Sequence, residues 1–81
     1  SPAVRVYTAE ALGKFGDVRL VPYLTSLLVE DDEQLVISAA RSLGAIGAPE
    51  SAEPLSNLTK DSRATVRVAA VAALSQIPLK D

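Results

Sequence analysis

The sequence predicts an all-α fold: an α-α superhelix of five helices in about two and a half repeats. A segment that returns every 31 residues is the first observation behind this reading. Val4-Arg5-Val6-Tyr7-Thr8-Ala9-Glu10-Ala11-Leu12-Gly13-Lys14-Phe15-Gly16 comes back as the segment 35–47 and again as 66–77. Apolar residues inside each copy recur at three- and four-residue spacing, the mark of a helix with one buried face. No stretch shows strand-like alternation followed by a hairpin turn. A fixed period of this length means stacked supersecondary units that share one continuous core.

The elements follow in order. Ser1 reads as an N-cap with Pro2 at the first helical position. The first helix runs from about Ala3 to Phe15, with Val4, Thr8, Ala11, Leu12 and Phe15 facing inward, and Gly16 ends it. Asp17 caps a second helix from about Arg19 to Val29, which holds Pro22 in its first turn and buries Leu20, Leu24, Leu27 and Leu28. Glu30-Asp31-Asp32 is the turn into a third helix, Glu33 to Ile46, whose inward face is Leu35, Ala39, Ser42, Leu43 and Ile46. Gly47-Ala48-Pro49 breaks the chain. A fourth helix, about Glu50 to Thr59, has Pro54 near its start and buries Leu55 and Leu58. Asp61-Ser62 leads to a fifth, about Arg63 to Ile77, which Pro78 stops; the tail Leu79-Lys80-Asp81 is expected to fray.

With A and B naming the two helices of each unit, the order is B-A-B-A-B. The first A helix is missing, so the N-terminal end should expose an apolar face. The chain therefore reads as one domain over residues 1–81, cut from a longer solenoid or with an end that a partner covers. Self-association through that open end is a further expectation.

Composition excludes most chemistry. The 81 residues contain no cysteine and no histidine, so disulfides, thiol catalysis, histidine bases and the usual zinc sites are absent. Ser26, Ser38, Ser42 and Ser56 lie inside helices with no base to activate them. The glycine pairs Gly13/Gly16 and Gly44/Gly47 end helices and follow no strand, unlike a phosphate loop. Glu30-Asp31-Asp32-Glu33 is contiguous, without the alternating ligands and glycine of a calcium loop, and suits a helix start. A net charge of −2 argues against nucleic acid, which calls for a basic stripe. No apolar run approaches the roughly 20 residues of a membrane span. The expectation is a chain with no catalytic residue, metal or cofactor, in the cytoplasm.

Several motifs sharpen this. Glu53-Pro54-Leu55, Leu58, Lys60-Asp61, Val66-Arg67, Ala69-Ala70 and Ala73-Leu74 form one unit; Ala11-Leu12-Gly13 with Phe15-Gly16, and Ser42-Leu43-Gly44 with Ile46-Gly47, match its end. This pattern resembles the HEAT repeat family, in particular the short repeats of phycobilisome lyases. The departures are Val36 in place of an arginine, Pro22 one position early relative to Pro54, Ser75 for the last glycine, and Pro78.

The resemblance implies a protein partner, a helix or an extended peptide, on a concave face lined by the Val-Arg helices. Carried over by position, that face includes Val6, Tyr7, Glu10, Ile37, Arg41, Val68 and Ala72. Val6, Ile37 and Val68 are 31 residues apart and should form an exposed apolar ladder, so Ile37→Glu is expected to weaken binding and leave helicity intact. The resemblance also implies a structural ladder between repeats from Arg5, Glu30, Asp61 and Arg67. The resulting function is a non-enzymatic scaffold or adaptor. The alternative is a non-catalytic part of a bilin lyase-like or other enzyme-associated subunit.

Overall fold

Most helices begin where the sequence supplies a cap or a proline; the last begins after Arg63, with no side-chain cap. The computed structural model describes residues 1–78, without the side chains of Leu12 and Gly13. The inward placement expected of Leu12 and the fraying expected of Leu79-Lys80-Asp81 lie outside the described residues. The α-helices are α1 (Pro2–Gly13), α2 (Val21–Ser26), α3 (Glu33–Ile46), α4 (Ala52–Leu58) and α5 (Ala64–Ser75). Short 3-10 turns, Val18–Leu20 and Leu27–Val29, flank α2, and Pro49–Ser51 precedes α4.

The Ser1 hydroxyl accepts from the Val4 N–H at 3.3 Å, and the carboxylates of Asp17 and Asp32 accept from the N–H of Arg19 (2.9 Å) and Leu35 (3.2 Å). These bonds satisfy helix-start donors that have no partner within the helix. Gly47 closes α3 at φ 71°, its N–H bonded to the Leu43 carbonyl, a conformation that favours glycine. α1 is shorter than its pattern suggests: it ends at Gly13 and leaves Phe15 in the following turn. The A helices are short because Pro22 and Pro54 have no N–H to donate and are tolerated only in a first turn, so neither helix extends further towards the N-terminus.

The three B helices lie side by side, α1 on α3 and α3 on α5; α2 covers one face of α3, and α4 covers the same face of α5. α3 is the centre. Leu35, Ala39, Ser42 and Leu43 are buried as the pattern predicts, and so are Val36, Ile37, Ser38, Ala40 and Gly44, because neighbours flank it on three sides. This explains Val36. The position is fully buried in α3, whereas Arg5 and Arg67 hold it on the two outer helices, where it is exposed. A charge at position 36 would lose its hydration.

α1 departs from the expected inward face. Val4 and Phe15 are 63% and 78% exposed, and Thr8 is exposed, while Ala9 is fully buried against α3. The pattern of α1 is that of a helix covered on two sides, but only α3 packs on it substantially among the described residues.

Gly44 sets the spacing of α3 and α5. A Cβ there would lie 2.8 Å from the Ala73 Cα and 2.6 Å from the Gln76 Oε1. Gly44→Ala should push the helices apart and destabilise the fold by about 1–2 kcal/mol, after the helix-propensity gain of alanine is subtracted. Urea unfolding followed by circular dichroism measures this. Wild-type stability in the variant would show that the two helices do not approach so closely in solution.

Candidate protein-binding surface

Side-by-side B helices leave grooves between them on the side away from α2 and α4. The larger groove, about 500 Å³, runs between α3 and α5. Ile37, Val68 and Ala72 give it apolar walls, and Gln34, Arg41 and Thr65 give it a polar border. A smaller groove of about 260 Å³ lies between α1 and α3, lined by Glu10, Lys14, Ser38, Arg41, Ser42 and Ala45. Arg41 is exposed and belongs to both. Helical spacing creates this arrangement: residues four apart stack on one face, so Ile37 and Arg41, like Val68 and Ala72, line one wall.

Five of the seven partner-binding candidates line these grooves: Glu10, Ile37, Arg41, Val68 and Ala72. The expected exposed apolar ladder is not there. Val6 is half-buried against the core, Ile37 is only 7% exposed, and Val68 alone is open at 69%. Position 37 points towards the next B helix in the stack and is covered by α5, while Val68 has no such neighbour among the described residues. Tyr7 is 76% exposed but lies outside both grooves. It occupies the position of Ser38, which α3 turns towards α1, so it belongs to the outer side of α1. Glu10 is already engaged, accepting from the Ser38 hydroxyl at 3.1 Å.

The polar ladder differs from the expected one in its partners. Arg5 does reach Glu30, at 2.8 Å, and ties α1 to the turn before α3. Both side chains are partly exposed, so the pair contributes about 1 kcal/mol at most. Asp61 does not pair with Arg67. Its carboxylate takes the Arg63 N–H (2.9 Å) and the Arg63 guanidinium (2.9 and 3.1 Å), and Arg67 instead donates to the carbonyls of Asp61 and Ser62 at 2.9 Å each. Proximity decides this: Arg63 lies two residues away and closes an Asx turn. Other links that cross between repeats were not read from the sequence. Arg63 donates to the Asp31 carbonyl at 3.2 Å, the Thr65 hydroxyl to Glu33, and the Ser42 hydroxyl to the Ala9 carbonyl at 2.6 Å. The one available signal was the Asp-x-Arg motif, present at 17–19 and again at 61–63.

This motif has a consequence for pH. Hydrogen bonds from the Arg63 side chain and then its backbone N–H, aided by the charges of Arg63 and Arg67, lower the Asp61 pKa from 3.8 to about 2. The Arg19 side chain and N–H do the same to Asp17, also to about 2. A carboxylate depressed in the folded state adds stability that is present above the unfolded pKa and lost as pH falls through the folded one. Stability should therefore fall between pH 3.8 and about 2, and the double variant Asp17→Asn/Asp61→Asn should flatten that decline. An unchanged slope in urea unfolding across this range would count against these contacts.

Among the described residues no helix is long and apolar enough to cross a membrane. A search among curated proteins finds no match. A family model for HEAT repeats matches residues 1–77. That match is to HEAT repeats in general; the narrower likeness to phycobilisome-lyase repeats rests on the sequence pattern alone. Five helices alternating in the order B-A-B-A-B, the 31-residue recurrence and a match over nearly the whole length agree, and the chain belongs to the HEAT repeat family, whose repeats generally mediate protein–protein interaction.

Proposed function

We propose that this chain is a non-enzymatic interaction module that presents the α3–α5 groove to a helix or extended segment of a partner protein. The observation that carries the reading is the groove's composition: apolar Ile37, Val68 and Ala72 within a border of Gln34, Arg41 and Thr65. An apolar floor with a polar rim suits a protein segment that brings its own apolar side chains. Val68 supplies contact area. Arg41, exposed between two grooves, favours an acidic residue on the partner and speeds the encounter.

Selection of amphipathic peptides from a displayed library against the whole chain tests this. Binders should lose roughly tenfold or more in affinity with Val68→Glu, a loss of about 1.4 kcal/mol or more. Arg41→Glu should weaken acidic binders, more so at low salt. Val68 is exposed, so helicity should not change. Binders indifferent to both substitutions would rule the groove out.

A further inference from the structure

A second cleft lies among the A helices, away from the α3–α5 groove. α2 is seated on α3 and α4 on α5, and between the two A helices a cavity of about 420 Å³ is left open. Val29 and Leu58 give it apolar walls, and Glu30, Asp31, Asp61 and Arg63 give it charge. Leu58 is buried, but Val29 is 84% exposed. Val29 holds the place that Lys60 holds one unit later. It turns an apolar surface to water where the next unit presents a charge.

Charge decides what suits this cleft. Arg63 spends its guanidinium on the Asp61 carboxylate, at 2.9 and 3.1 Å, and on the Asp31 carbonyl at 3.2 Å. Arg5 takes one Glu30 oxygen at 2.8 Å and leaves the other. The Asp31 side chain is exposed and has no ion pair among the described residues. Even with Arg5 counted, three carboxylates face two guanidiniums, so the cleft keeps an excess of negative charge. That excess repels polyanions and favours a cation. Among the described residues no three acidic side chains gather as a metal ion requires. The cation that matches is one carried on a long side chain, whose stem lies along apolar surface while its head stays at the polar rim.

We propose that the α2–α4 cleft docks a segment of a partner protein that carries a lysine or arginine beside an apolar residue. The cation reaches Asp31 and the remaining oxygen of Glu30, and the apolar residue covers Val29. This surface is independent of the α3–α5 groove and has the opposite charge preference, since Arg41 favours an acidic segment there. Charge complementarity and the open valine together select the occupant: a purely basic segment leaves Val29 in water, and a purely apolar one leaves Asp31 without a counter-charge.

The test is a differential selection from a displayed library of random peptides. Peptides are kept that bind the whole chain and fail to bind Asp31→Lys, a change at an exposed position that circular dichroism should show to leave the fold intact. The kept peptides should carry lysine or arginine beside an aliphatic or aromatic residue. The tightest, once synthesised, should lose about tenfold or more in affinity with Asp31→Lys and a few-fold with Val29→Ser, and should bind more weakly as salt rises. Amide NMR shifts should centre on Val29, Asp31 and Asn57. Val68→Glu and Arg41→Glu should leave these affinities unchanged, so the cleft and the α3–α5 groove stand or fall separately. An empty selection, survivors without a basic residue, or shifts centred on the α3–α5 groove overturn the proposal. A concentration-dependent mass that Asp31→Lys abolishes also overturns it, by making a second copy the occupant.

Discussion

Leu35→Ala should lower the unfolding free energy by about 2–5 kcal/mol, whereas Val4→Ala, at the same place in the repeat, should change it by less than about 0.5 kcal/mol. Leu35 is fully buried beneath α2, and removing three carbons there forfeits transfer energy and leaves a cavity. Val4 is 63% exposed and has little burial to lose. A domain of this size holds only about 4–12 kcal/mol in total, so the first variant stands near the edge of folding. Urea unfolding read by circular dichroism gives both numbers. A large effect at Val4 would mean that its face is covered in solution, either by a second copy or by a rearranged α1.

Ile37→Glu should destabilise the fold by about 2 kcal/mol and broaden or abolish cooperative unfolding, rather than act as a silent surface change. Ile37 is 7% exposed, and losing that burial alone costs about 1.5–3 kcal/mol. Arg41 lies four residues on and recovers only about 0.3–0.5 kcal/mol by pairing with the new carboxylate. Val68→Glu, at the equivalent position of α5, should be close to neutral because that residue is 69% exposed. Comparable melting curves for the two variants would show that α5 does not cover Ile37. The practical consequence is that Val68, not Ile37, is the residue with which to probe the groove for binding.

Much of the fold was legible because local physics and the repeat agreed. α3 spans Glu33–Ile46 as its periodicity predicts, with Asp32 as its cap and Gly47 as its left-handed stop. Leu24, Leu27, Leu28, Leu55 and Leu58 are buried as their spacing predicts. Errors gathered where two residues share a repeat position but not the same neighbours. Val6, Ile37 and Val68 read as one ladder, yet they are half-buried, buried and exposed in turn. Val4 and Phe15 read as core and are open, since nothing among the described residues packs where α2 and α4 pack on the later helices. The Asp61–Arg67 pairing failed for a different reason: a nearer arginine satisfies the carboxylate within the same turn.

The sequence by itself determined the helical class, the period, the caps and the leucine stripes, because each depends on residues within a turn or two of one another. Tertiary structure alone decided which apolar positions are core and which are surface. That depends on how many neighbours a helix has, and identical spacing in α1, α3 and α5 conceals their different positions in the stack: among the described residues α3 lies between two B helices, while α1 and α5 each meet one. The contact of Gly44 with Ala73 and the Arg63 link to the Asp31 carbonyl belong to the same category. Both arise only when residues about 30 positions apart are brought together by the stacking of one unit on the next.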